Sequence, residues 1–146
     1  MKDLDRLAVW NRIQTFSFDK PESSFTFSDR LKKDFNWGDE ITTRATQEYK
    51  RFLFLCVVTE HKCVPSDFVD KVWHTHLIYT KSYWCDLCPN TLQMELHHEP
   101  GTAPLQKKSF LRSYISTLKS YESFIGHTPP ADMWGELKDY EELLNG

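Results

Sequence analysis

The sequence predicts an all-α fold, a single compact domain of about five to six helices. Apolar residues recur at helical spacing along most of the chain, whereas alternating, strand-like patterns are short. Candidate capping residues and proline-containing segments separate the helical stretches. A chain of 146 residues is long enough to bury one core, so residues 1–146 are expected to form one domain.

The first half of the chain predicts three helices. A first helix is expected around residues 4–10, followed by a loop with the sequence "FDKPESSFTF". Ser28 is the expected N-cap of the second helix. Asp39 is the expected N-cap of a long amphipathic helix that ends near Thr59 and turns Cys56 toward the core.

The second half predicts three more helices. Pro65 and Ser66 are expected to begin a helix over residues 67–87, which stops at Pro89 and Asn90. The next helix covers residues 105–125 and ends at Gly126. A last amphipathic segment covers residues 132–144.

Charge and hydropathy exclude several classes of partner. Lysine and arginine number 18 against 21 acidic residues, and both signs are interspersed, so no nucleic-acid partner is expected. The charged N-terminal residues are unlike a signal peptide, and no apolar run is long enough to span a bilayer. We expect a soluble, cytoplasmic protein without a membrane partner, whose four cysteines are thiols or metal ligands.

Histidine and cysteine concentrate in two neighbouring motifs. The first is "WHTHLIYTKSYWCDLC" at residues 73–88, and the second is "HHEP" at residues 97–100. His74 and His76 are two positions apart, so on a regular helix they point roughly 200° away from each other. They therefore cannot bind one ion together from the same helix.

The predicted helix has two faces that carry polar chemistry. One face combines Trp73, His76, Thr80 and Tyr83, which is typical of a pocket wall or of a core. The other combines Asp70, His74, Cys85 and Cys88. Asp70 precedes His74 by one turn, so its carboxylate can orient the imidazole, as carboxylates do at metal and catalytic sites.

A metal site between this helix and the second motif is the leading interpretation. The loop at residues 97–100 can fold back and bring His97 or His98 beside either face of the helix. Histidines combined with a thiolate or a carboxylate commonly bind zinc or iron, and zinc is preferred if a cysteine takes part. The preferred ligands are His76 and His98, with His74 and Cys88 as competitors. Candidates for contacts with the ligands or with a bound small molecule are Asp70, Trp73, Thr80, Tyr83 and His97.

Other interpretations of the same residues stay open. His76 is as consistent with a buried, hydrogen-bonded histidine as with a ligand. Cys85 and Cys88 resemble half of a zinc knuckle whose other half is missing. A minor option is that Cys88 is a nucleophile with His97 or His98 as its base. The rival to metal binding is a protein-interaction module in which the histidines are hydrogen-bonding anchors. A phosphate-binding loop, a nucleophile elbow and an H-E-x-x-H motif are all missing, and no reaction is indicated.

The string "VPSDFVDKVWHTHLIYTKSYWCDLC", followed by "HHEP", resembles the signature of the glycine-rich domain-containing protein-like family. The resemblance is strongest over residues 48–100, and the chain is similar to the short bacterial members. The residues that match the family pattern are Asp70, Trp73, His74, His76, Thr80, Tyr83 and His98. With only five glycines, the chain lacks the glycine-rich region of the longer plant members. The resemblance implies which residues form a site but no reaction.

Overall fold

The computed structural model describes residues 3–98 and 107–146 and confirms the all-α prediction for a single domain. Every regular element within those two ranges is helical. They are α1 (Asp3–Gln14), α2 (Phe27–Phe35), α3 (Asp39–Val58), α4 (Asp67–Ile78), the single turn α5 (Thr80–Ser82), a π-helix (Tyr83–Leu92), α6 (Lys108–Ile125), α7 (Ala131–Trp134) and α8 (Leu137–Asn145). None of the helices in the described part of the chain is long and apolar enough to cross a membrane.

Helix α3 forms the centre of the molecule and packs against α1, α2, α4 and α6. Its residues Ala45, Tyr49, Phe52, Leu53 and Leu55 have no exposed surface. Cys56, in the last turn, is only partly buried against this core. A helix that meets neighbours on several sides buries more than one face.

The N-caps correct two sequence predictions. Helix α2 begins after Thr26, because the Thr26 side chain accepts from the Asp29 backbone N–H at 3.1 Å and Asp29 accepts from the Thr26 N–H at 3.0 Å. Ser28, the predicted cap, lies inside the helix. Gly38 occupies the cap of α3, so Asp39 is its first helical residue. The predicted start of α4 is confirmed, with Ser66 as the N-cap.

The predicted helix over residues 67–87 is not continuous. It breaks at Tyr79, whose ψ of 72° is not helical, and the chain continues through α5 into the π-helix. The π-helix contains Pro89, so the predicted stop at Pro89 and Asn90 is wrong. Proline would clash with the carbonyl four residues earlier in a regular α-helix, and the wider π-helix avoids that geometry. The π-helix ends at Leu92 and is capped by Gln93, which adopts a left-handed conformation with φ of 59°.

Two glycines set the ends of the C-terminal helices. Gly126 has φ of 99° and terminates α6, as predicted. The predicted helix start at Leu105 and the motif residues Glu99 and Pro100 lie outside the described residues. The last predicted segment is divided into α7 and α8 by Gly135, where φ is 80° and a Cβ atom would collide with the ring of Tyr140.

A buried carboxylate joins three of these helices. Glu48 on α3 is 3% exposed, and its Oε1 accepts from Tyr121 of α6 at 2.7 Å and from the indole of Trp134 of α7 at 3.0 Å. Its Oε2 accepts from Arg51 at 2.6 Å. Each oxygen of the carboxylate therefore has a donor, which is the condition for keeping a charge inside a core.

Candidate metal centre

Asp70 and His74 lie one turn apart on α4 and form the first half of the candidate site. Side chains four positions apart on a helix are neighbours, so the backbone itself sets their separation. Asp70 is partly buried and His74 is exposed. Ser66 fixes the start of α4 through its bond to Val69, so the helical turn that carries both residues is firmly placed.

The loop after the π-helix supplies the second half. Tyr83, fully buried, accepts from the Trp73 indole N–H at 2.9 Å and donates to the Leu96 carbonyl at 2.5 Å. These two hydrogen bonds tie the loop to α4. They place the His98 ring against Trp73 and His74, with ring centroids 4.2 and 4.5 Å apart.

The structure brings Asp70, His74 and His98 together. His98 Nε2 donates to Asp70 Oδ1 at 2.5 Å, and one potential ligand atom from each of the three side chains lies within 4.8 Å of the others. Ligand atoms around a tetrahedral zinc are separated by about 3.4 Å, as follows from bond lengths of about 2.1 Å. Small side-chain rotations would therefore bring the three groups to bonding distance of one ion.

A cleft of about 670 Å³ opens beside this group, and all three side chains line it. This volume falls within the range typical of small-molecule sites. Its apolar wall includes Trp73, Leu96, Phe110, Tyr114, Met133 and Trp134. An ion held by the three side chains would therefore have space beside it for a ligand.

His76, a preferred ligand in the sequence analysis, is not brought to this group. It is 1% exposed, and its Nδ1 and Nε2 hydrogen-bond with the hydroxyls of Tyr49 and Ser82, each at 2.9 Å. Burial, aided by the charge of Lys20, lowers the pKa of His76 to about 3. The imidazole is therefore neutral, and both nitrogens already have protein partners. It packs among the rings of Phe16, Phe18, Phe27, Tyr49 and Tyr83.

Of the remaining predicted site residues, Trp73 packs against His98, and the others are not among the three potential ligands. Cys88 is buried in the π-helix, and burial raises the pKa of its thiol. Thr80 is exposed at the start of α5. His97 is exposed, with its ring over Trp84 and its Nε2 3.3 Å from the Glu95 carboxylate. Tyr83 anchors the loop through its hydroxyl, as described above.

Asp70 has a larger part in the group than its spacing from His74 predicts. The sequence predicts that Asp70 orients His74, whereas in the structure its carboxylate accepts from His98 and is itself one of the three potential ligands. The spacing of Asp70 and His74 could have indicated this role. Two residues four positions apart on a helix can both be metal ligands, or one can be a ligand and the other the carboxylate that orients it.

Comparison with known proteins places the chain in a family. A family model described as UCP032817-like matches residues 11–116, a range that includes Asp70, His74 and His98 and ends within α6. Neither a curated protein nor a solved structure matches the chain. The description of the matching model does not mention the glycine-rich domain-containing protein-like family. Membership of that family, which the motifs suggest, stays a prediction. Because the matched range covers most of its length, the chain belongs to the uncharacterised UCP032817-like family.

Proposed function

We propose that the chain binds one divalent metal ion, zinc by preference, through Asp70, His74 and His98. The observation that supports this proposal is the convergence of two imidazoles and one carboxylate at the edge of the cleft. Three protein ligands leave a coordination position open, which is the arrangement of exchangeable rather than purely structural zinc sites. The proposed function is therefore metal-dependent binding of a small ligand in the cleft.

Zinc and iron(II) are the two ions to compare. Two histidines and one carboxylate are ligands for either metal, and a thiolate that would favour zinc does not belong to the group. Zinc binds nitrogen and oxygen ligands more tightly than iron(II) does, and this order of affinity supports zinc as the first choice.

Elemental analysis of untagged, gel-filtered protein tests the proposal directly. We expect about one equivalent of zinc in the parent protein, or after incubation with zinc, and its loss in Asp70→Asn, His74→Ala and His98→Ala. His97→Ala is the matched control, because His97 is adjacent in sequence but exposed and outside the group. A parent protein that is free of metal and takes up neither zinc nor iron(II) would rule out the proposal.

A structural role for the same histidine is the second candidate, and the direct bond between His98 and Asp70 favours it. In this view the chain is a protein-interaction module and His98 locks the loop onto α4. His98→Ala would then cost on the order of 1–3 kcal/mol through lost hydrogen bonds. The metal content of the parent would be zero, which distinguishes this role from metal binding.

A further inference from the structure

A second group of reactive side chains lies in the wall of the same cleft. Cys56 lies in the last turn of α3, and Cys63 lies in the connection between α3 and α4. Both line the cleft and both are partly exposed, free thiols. Neither belongs to the group of Asp70, His74 and His98, so this pair is independent of the proposed metal site.

The thiols of Cys56 and Cys63 differ in their pKa. A hydrogen bond from the Cys56 thiol, with smaller contributions from Thr59, from the charge of His61 and from Thr117, lowers the pKa of Cys63 to about 6. The Thr59 hydroxyl lies 3.2 Å from the Cys63 sulfur. Burial raises the pKa of Cys56 well above its usual value, so Cys56 stays protonated as the donor. At neutral pH Cys63 is therefore a thiolate and Cys56 a thiol, and both line the same cleft.

We propose that Cys63 is an oxidation site for hydroperoxides and that Cys56 resolves the oxidised form into a disulfide. A thiolate that accepts hydrogen bonds and lines an open cleft is the reactive type of cysteine, whereas a neighbouring thiol traps the first product. Thr59 lies three positions after Cys56 at the end of α3, and its hydroxyl contacts the Cys63 sulfur at 3.2 Å, so the two cysteines lie close together in the wall of the same cleft. Disulfide formation requires them to approach to about 2.05 Å, the length of the S–S bond.

The chemistry proceeds in two balanced steps. The Cys63 thiolate attacks one oxygen of the hydroperoxide and breaks the O–O bond, which gives Cys63 sulfenic acid and releases an alkoxide or hydroxide that takes a proton from water. The Cys56 sulfur then attacks the sulfenic sulfur. Its S–H proton and the departing hydroxide form water, and the S–S bond remains. The protein loses two electrons and the peroxide gains them.

Peptide mapping of the parent protein tests this proposal. Folded protein is treated with hydrogen peroxide, denatured in N-ethylmaleimide and digested with trypsin. Cleavage after Arg51, Lys62 and Lys71 separates the two cysteines into peptides 52–62 and 63–71. We expect these peptides to be joined by a disulfide, and the number of free thiols to fall from four to two. Unlinked peptides with unmodified cysteines would overturn the proposal.

Three variants assign the roles of the two sulfurs. In Cys56→Ser, Cys63 is expected to stop at the sulfenic acid, which dimedone labels. In Cys63→Ser, Cys56 is expected to stay unmodified. Cys85→Ser is the matched control, because Cys85 is exposed and outside the cleft, and it should form the disulfide like the parent. Preferential oxidation of Cys85, or sulfinic acid at Cys63 without a disulfide in the parent, would contradict the proposal.

Discussion

At the residue scale, the two histidines of the Trp-His-x-His motif have opposite surroundings. His74 is exposed in the candidate metal centre, while His76 is buried and hydrogen-bonded at both nitrogens. Helical periodicity predicts that they point apart, and it also groups Asp70 with His74. It does not reveal which face meets the core, because the rings that surround His76 come from distant segments such as Phe18 and Tyr49.

His76 should make stability depend on pH. Its folded pKa of about 3 lies below the ordinary histidine pKa of 6.5, so between these values the unfolded state binds a proton that the folded state does not. The contribution of neutral His76 to the free energy of unfolding is complete above pH 6.5 and is lost as the pH falls toward 3. Between pH 7.5 and 5 the loss is about 2 kcal/mol. Urea denaturation in chelator should show this dependence in the parent and a flatter one in His76→Phe. Equal slopes would contradict it.

Cys63 should react with an alkylating reagent at unusually low pH. Because its pKa is about 6, the rate of iodoacetamide modification should rise with a midpoint near pH 6. Cys56→Ala removes the main hydrogen-bond donor and should move the midpoint upward. Time-resolved mass spectrometry of the peptide 63–71 gives the rate. A midpoint in the parent near that of a free cysteine would refute the prediction.

At the element scale, the break at Tyr79 and the π-helix determine where the second half of the site lies. The π-helix places Tyr83 against Trp73 of α4, and the hydroxyl of Tyr83 also binds the carbonyl of Leu96 in the loop that carries His98. The caps of α4 and α6 are predictable, because Ser66 and Gly126 act through local backbone chemistry. The π-helix is not predictable from Pro89, since proline usually ends a helix.

Removal of one hydroxyl should loosen this connection. Tyr83→Phe leaves the Trp73 indole N–H and the Leu96 carbonyl without their partner, at a cost of roughly 1–3 kcal/mol in the free energy of unfolding. If the metal site forms as proposed, zinc affinity should fall about tenfold or more, because His98 loses its support. Denaturation and calorimetric titration measure the two effects.

Tyr121→Phe is the control for that measurement. Tyr121 is equally buried, and its hydroxyl donates to Glu48 rather than to the loop. It should lose a similar amount of stability and keep the zinc affinity of the parent. If both variants lose affinity alike, the effect arises from general destabilisation and not from the loop.

At the scale of the whole molecule, α3 and its Glu48 carboxylate hold the two halves of the chain together. Tyr121 of α6 and Trp134 of α7 donate hydrogen bonds to this side chain, although each lies more than 70 positions after it in the sequence. The amphipathic pattern of the sequence predicts the helices that enclose the core. It gives no signal for the partners of Glu48, because a glutamate within a helix normally indicates the solvent-exposed face.

Zinc should stabilise the whole domain. At a free concentration of 100 times Kd, a ligand that binds only the folded state adds about 2.7 kcal/mol. For a chain of this length that corresponds to a rise in Tm of about 9 °C. Differential scanning calorimetry with zinc and with chelator should show this difference in the parent and none in Asp70→Asn. Equal Tm values in the parent would exclude a zinc site of this kind.

The bond between His98 and Asp70 has a consequence for how occupancy can be observed. This bond joins two of the proposed ligands and ties the loop to α4 before any metal binds. Loaded and empty protein should therefore have nearly the same shape. Scattering curves and hydrodynamic radii would scarcely distinguish them, and occupancy has to be followed by signals from the imidazole nitrogens or from the ion itself.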